Sequence, residues 1–255
     1  MLHPQEVIER IDKLVEKEQI RLTKIFSDED VHQLCDEFEI KFRERDFTPA
    51  ITLGLFVSQC LSRGDACSTV VSKFNRERKR QGQVPCSEDA SAYCKARAKL
   101  SVELIDRLGK RIVDLLRAKT PTQWKWNKLN VYLVDGLVFR APHTQANQEI
   151  YPQPSTQKEG LGFPQVRTVV TTCLATGCIV NYNTAAMKGK QTGEVSLFRE
   201  KHGDFSAGDV VVADSNFESF YDAVLLNRRG VEMVYGIKGC RNSPFECVCD
   251  VIESR

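Results

Sequence analysis

The sequence predicts an α/β chain: a helical N-terminal region over residues 1–125, then a mixed sheet with flanking helices over residues 126–255. Three observations carry this expectation. Apolar residues recur three and four apart through the first third of the chain. From Leu129 onward the pattern changes to short apolar strands separated by Gly- and Pro-bearing turns. Two of those strands, VYLVDGL at 131–137 and VVVADSNF at 210–217, run directly into an aspartate.

The elements follow in order. HPQEVIERIDKLVEKEQ places Val7, Ile8, Ile11, Leu14 and Val15 on one helical face, and PAITLGLFVSQC (49–60) reads as a buried helix entered through a proline. SEDASAYCKARAKLSVELIDRLGKRIVDLLRAK reads as one or two helices that begin at a serine and stop before Pro121. PTQWKWNK then breaks the period and marks a boundary between about 119 and 128. NVYLVDGLVFR is expected to be a strand, a turn at Asp135 and Gly136, and a second short strand, followed by a loop over APHTQANQEIYPQPSTQKEGLGFPQ. VRTVVTTCLA and CIVNYNTAA flank a Thr-Gly turn as a hairpin. TGEVSLFREKHG is a short helix, GDVVVAD a strand, FESFYDAVLLNRRG a helix closed at Gly230, and VEMVYGIK a last strand.

The 255 residues, 42% hydrophobic and 27% charged, fit an ordinary globular chain and exclude a disordered one. The longest apolar runs fall far short of the ~18 residues a membrane helix requires, and the N-terminus has no signal-peptide h-region. A cytoplasmic protein with no membrane partner is expected. The ten cysteines lack framework spacing and read as buried free thiols; Cys240, Cys247 and Cys249 cluster without the paired ligands structural zinc needs. Net charge is only +2, but Lys73, Arg76, Arg78, Lys79 and Arg80 crowd one short segment, with Lys95, Arg97 and Lys99 close behind. A charge run alone is most simply a solvated helical face.

If the strands ending at Val134 and Ala213 lie side by side and parallel, Asp135 and Asp214 meet at one carboxyl edge of the sheet, where open α/β sheets place their chemistry. Two acids held close repel unless a cation joins them, and Mg2+ is the hard cation that takes few carboxylates together with water and phosphate oxygens. A pair of such ions ~3.5–4 Å apart serves in-line displacement at a phosphodiester. The plain alternative is that Asp135 is a turn residue before Gly136 and Asp214 a helix cap.

Longer stretches carry a resemblance. AYCKARAKL (92–100), VDGLVFRAPHTQANQEIYPQPSTQKEGLGFP (134–164), LATG with the following KGKQTGE (188–194), and GDVVVADSNFESFYDAVLLNRRGVEMVY (208–235) resemble the DDE transposases of bacterial insertion sequences, in the insertion-sequence-four branch. The resemblance implies an RNase H-like catalytic domain behind a helical DNA-binding region, with Asp135 and Asp214 as the first two acids on Mg2+ or Mn2+. It implies strand cleavage by water and strand transfer by the freed 3′ hydroxyl, on double-stranded DNA at terminal inverted repeats and target sites, by a homodimer. It also turns Lys73, Arg76, Lys79, Arg80, Lys95, Arg97 and Lys99 toward DNA phosphates.

One departure qualifies that expectation. The family's third acid, a glutamate in the pattern Tyr-x2-Arg-x3-Glu-x6-Lys, has no counterpart here. LFREK (197–201) precedes Asp214 and reads as the surface of a short helix; Glu218 and Asp222 share a helix face near the site but lack the spacing. The expected chain is therefore C-terminally truncated or frameshifted, its tail CVCDVIESR matching nothing recognisable, and weak or dead as a catalyst. Three readings follow: a transposase fragment, a non-catalytic DNA-binding protein that occupies element ends or interferes with a full-length transposase, or a poorly folding relic. Lys188 and Lys190 read as a solvated turn, Trp124 and Trp126 as packing residues, and His143 and His202 as solitary, without a ligand role.

Overall fold

The computed structural model describes residues 27–236 except 44, 63, 64 and 159. The first predicted helix and the C-terminal tail with Cys240, Cys247 and Cys249 lie outside the described residues. Two compact units are present, residues 1–112 and 113–255.

In the first unit the described elements are helical. α1 (Asp28–Glu37) starts with a capping box, in which Ser27 and Asp30 satisfy each other's backbone N–H groups. α2 (Pro49–Leu61) is capped by Thr48, with proline in the first turn where no amide partner is needed, as the sequence predicts. α3 (Cys67–Arg80) carries the basic run, followed by α4 (Ser91–Arg97) and α5 (Val102–Lys119), whose residues from Val113 on belong to the second unit. Val31, Leu34, Cys35, Leu53, Leu104 and Leu108 form one apolar cluster; Phe47, Val70, Val71, Tyr93 and Ala96 form a second. Buried Asn75 holds the α3–α4 connection, donating to the Cys86 carbonyl and accepting from its amide, both at 2.9 Å.

The second unit holds β1 (Asn130–Arg140), β2 (Gln165–Cys173), β3 (Ile179–Ala186), β4 (Asp209–Ala213) and β5 (Glu232–Tyr235), in the sheet order β3-β2-β1-β4-β5. β1, β2 and β3 are antiparallel neighbours, while β4 and β5 run parallel to β1. A helical N-terminal part followed by a five-stranded mixed sheet with flanking helices is the fold class expected from the sequence. α6 is Gln145–Ile150, α7 Glu194–Arg199 and α8 Phe220–Asn227. Tyr132, Val134, Val169 and Val211 present one sheet face to Leu197 and Phe198 of α7, Phe217, and Leu226 of α8, closing a single apolar cluster. Phe198 anchors it, meeting Phe217 edge to face at 5.9 Å.

Several sequence expectations are corrected here. No turn interrupts β1 at Asp135 and Gly136: β2 pairs with it continuously from Tyr132 to Arg140, so the ladder carries the chain through. The 141–165 loop contains α6, capped by Thr144, which accepts from the Asn147 amide. Trp124 and Trp126 are 61% and 60% exposed and are not packing residues, because they sit on two short 3-10 turns that bury nothing. LFREK is not merely surface, since Leu197 and Phe198 enter the core. Cys60 and Cys94 are exposed rather than buried. Among the described residues no helix is long and apolar enough to cross a membrane.

Candidate functional site

The parallel pairing of β1 with β4 fixes the geometry of the two aspartates. The register runs Val131↔Val210 through Val134↔Ala213 and ends there. Asp135 and Asp214 each follow the last paired residue, Asp135 within β1 and Asp214 as the cap of the turn by which the chain leaves β4. β1 continues past this point on β2 alone. Asp135 therefore stands where β4 leaves the sheet and a rim opens.

Alternation sets the face. Tyr132, Val134 and Val211 point into the apolar cluster. Asp135 and Asp214 each lie one residue on from a core-facing position and fall on the opposite face, and both are exposed. Asp135 Oδ1 accepts from the Gly136 amide at 2.7 Å. Asp214 caps the 3-10 turn Ser215–Phe217, Oδ1 accepting from the Asn216 amide at 2.8 Å and Oδ2 from the Asn216 side chain at 3.0 Å. The cap role expected as the plain alternative thus holds for Asp214, and the turn role fails for Asp135.

Two carboxylates at one sheet edge supply hard oxygen donors of the kind Mg2+ and Mn2+ take. Each retains lone pairs beyond those its local hydrogen bonds use. Among the described residues, no three His, Cys, Asp or Glu side chains converge as a metal-holding group. Asp222 does not approach this edge as a free ligand: it is fully buried and grips Arg199 through two hydrogen bonds of 2.6 and 2.7 Å. Sequence reasoning overlooked Glu194, the first residue of α7. A Cβ on Gly136 would come within 2.5 Å of the Glu194 carboxyl, so that acid lies against β1 beside Asp135, on the core-packed face. The signal was available in the glycine following Asp135, which reads as a turn residue but serves close approach.

In the first unit the predicted cations separate into two groups. On α3, Lys73, Arg76, Lys79 and Arg80 are exposed and recur at helical spacing, whereas Arg78 turns inward to Asp46 and the Val84 carbonyl. Lys73 pairs with Asp65 and Arg80 with Glu77. Arg76 and Lys79 have no ion-pair partner among the described residues. On α4, Arg97 donates inward to Gln59 at 3.0 Å and is committed to the fold. Lys95 and Lys99 instead line a cleft of about 450 Å³ together with Arg43, Arg45, Phe42 and Phe47, and Lys99 sits over the Phe42 ring at 5.3 Å. Arg43 and Arg45 were missed, although KFRERDF (41–47) sets Lys41, Arg43 and Arg45 two apart, with Phe42, Glu44 and Asp46 after them in turn. Asp46 is the acid among the cleft's lining residues, and Arg78 pairs with it at 3.3 Å.

No family model and no curated protein matches this chain. Among solved structures it is similar to a piggyBac transposase captured as a synaptic complex with hairpin DNA, at a TM-score of 0.36 and 14% identity. The match covers 92% of this chain and 53% of that one, so the chain spans about half the length of the structure it matches. A likeness at this level carries no argument about activity.

Proposed function

We propose that this chain is a transposase-type DNA-processing protein of the DDE class, with Asp135 and Asp214 as two acids of a divalent-cation site. The observation that carries the reading is the parallel β1–β4 register, which ends one residue before both acids. When bound, Mg2+ or Mn2+ would act as a Lewis acid on a phosphodiester and lower the pKa of an attacking water. Asp135 and Asp214 would hold that ion from one face of the sheet. The Gly136 and Asn216 donors orient the two carboxylates without neutralising them. Glu194 is adjacent through Gly136 but faces the core side, which leaves the site short of a third direct acid among the described residues.

The DNA would be held by phosphate contacts from Lys73, Arg76, Lys79 and Arg80 on α3 and from Lys95 and Lys99 in the cleft. A supercoiled plasmid carrying terminal inverted repeats tests the reading. Mg2+- or Mn2+-dependent nicking should occur in the wild type and vanish in Asp135→Ala and Asp214→Ala. Nicking by both variants at the wild-type rate would sink it.

A second reading, a non-catalytic protein that binds element ends, is favoured by the absence of a third converging carboxylate among the described residues together with the cation-lined cleft. It predicts a salt-dependent gel shift with no nicking, and it fails if no complex forms at low salt.

A further inference from the structure

Trp124 and Trp126 are the two tryptophans of the chain, and the cation site proposed above uses neither. Both indoles stand mostly in solvent, and the 3-10 turns that carry them bury no residue, so the rings complete no core. The backbone beneath them is nevertheless tied down. The Trp124 amide donates to the Pro121 carbonyl and the Lys125 amide to the Thr122 carbonyl, both at 3.0 Å, and the Leu129 amide donates to the Trp126 carbonyl at 2.9 Å. Asn127 and Lys128 then follow with φ of 48° and 63°. Asparagine tolerates this left-handed region, whereas a lysine adopts it only where the surrounding chain imposes it. The reversal delivers the chain into β1 directly after Trp126 and leaves both rings outside.

Cations accompany the rings. Lys125, the residue between the two tryptophans, lines a cleft of about 140 Å³ together with Arg117, Thr120 and Tyr132. Arg117 is held in place there, donating to the Tyr132 hydroxyl at 3.2 Å and lying over the Tyr132 ring at 5.7 Å. Lys125 and Lys128 have no ion-pair partner among the described residues. Asp209, bonded to the cleft residue Asn130 at 3.1 Å, has its other oxygen taken by the Ser206 amide at 2.8 Å. A small cationic cleft one residue from two uncovered aromatic faces offers what a nucleotide needs: a seat for the phosphate and a plane for the base. A duplex hides the faces of its bases within the stack, so the rings suit unpaired bases. The lysines on both sides of Trp126 favour a polyanion over an apolar protein surface.

We propose that Trp124 and Trp126, with Lys125 and Arg117, form a platform for single-stranded DNA, on which unpaired bases stack against the indoles and a phosphate enters the Arg117–Lys125 cleft. The choice of DNA as the strand rests on the DNA-processing reading above. The platform itself lies within the second unit and needs no metal ion, so it is tested apart from Asp135 and Asp214.

Because the chain has no other tryptophan, its indole fluorescence reports on the platform alone. The full chain, in EDTA, should be titrated with an oligothymidylate of about 12 nucleotides, a length within the span of known single-strand sites. Emission should be quenched saturably, while an abasic strand and a blunt duplex of the same length should leave it unquenched. Trp124→Ala and Trp126→Ala should each weaken binding of a labelled strand roughly 5- to 150-fold in anisotropy, with Trp126→Phe retaining most of it. Lys125→Gln should lower the slope of log K against log salt by ~0.7, one phosphate contact on a single strand. The proposal is overturned if the single strand does not quench, if the abasic strand or the duplex quenches as strongly, or if the alanine variants fold and bind like the wild type. Quenching without plasmid nicking in Mg2+ supports the platform while the cation-site reading falls; nicking without quenching overturns the platform alone.

Discussion

Replacing Arg199 with methionine strands a charge. Asp222 is fully buried on α8, both its carboxylate oxygens are taken by the Arg199 guanidinium of α7, and its amide donates to the capping Ser219 hydroxyl. Burial pushes the Asp222 carboxyl up, but the hydrogen bonds and charge of Arg199 prevail and hold it below the usual carboxylate range. Removing one member of a buried pair costs ~3–5 kcal/mol. The Arg199 side chain is 42% exposed, so solvent already screens the pair and the lower end, about 3 kcal/mol, is expected.

At ~2–4 °C per kcal/mol for a chain of this size, Arg199→Met should lower Tm by roughly 6–12 °C at neutral pH. The sign with pH is determined. A depressed folded-state pKa contributes stability above the unfolded value near 3.8 that is lost as pH falls through the folded pKa, so the gap between wild type and variant should narrow in acid. Arg199→Met with Asp222→Leu should recover most of the loss, because no unpaired charge remains. Thermal melts by circular dichroism from pH 3 to 8 check this. A Tm loss under ~2 °C, or a double variant no better than the single, would refute the reasoning.

Three further outcomes are expected. Gly136→Ala displaces only the flexible end of the Glu194 side chain, so it should cost no more than ~0.5 kcal/mol in denaturant titrations. His202 is buried beside Phe198, and burial lowers its pKa despite the opposing Asp222 charge, so it folds neutral. Stability should therefore fall as pH drops below the unfolded value near 6.5, and His202→Gln should flatten that limb of the curve. Arg76→Gln with Lys79→Gln should weaken DNA binding equally across sequences and reduce the slope of log K against log salt by ~0.9 per lost phosphate contact, read from fluorescence anisotropy.

Much of the sheet was legible because strands with opposite surroundings write different patterns. GDVVVAD, flanked by β1 and β5, is a near-continuous apolar run, and the β2–β3 hairpin announced itself through Thr176 and Gly177. Strand order only allowed the parallel neighbourhood of the strands that end at Asp135 and Asp214, and the β1–β4 pairing supplies it. What failed depended on partners distant in sequence. Asp-Gly signals a turn locally, but β2 continues to pair through Gly136, and the glycine is needed for Glu194, 58 residues on. Asp222 reads as an acid near the site until Arg199 is brought to it. The two tryptophans were expected to pack because the sequence establishes no basic groove for base stacking, yet 3-10 turns hold them in solvent. Arg43 and Arg45 gain meaning only once Lys95 and Lys99 fold against the same cleft.

Iron-directed backbone cleavage tests the paired-aspartate site without relying on turnover. Fe2+ loaded in place of Mg2+, with ascorbate and peroxide, generates hydroxyl radicals that cut the chain nearest the ion. Because peroxide also oxidises exposed thiols such as Cys60 and Cys94, the cleavage is to be run on the cysteine-alkylated protein. Cuts at both the Asp135 region of β1 and the Asp214 end of β4, suppressed by excess Mg2+ and lost in Asp135→Ala and Asp214→Ala, are the predicted result. Cuts confined to one strand, or unchanged in the two variants, would contradict a shared cation site.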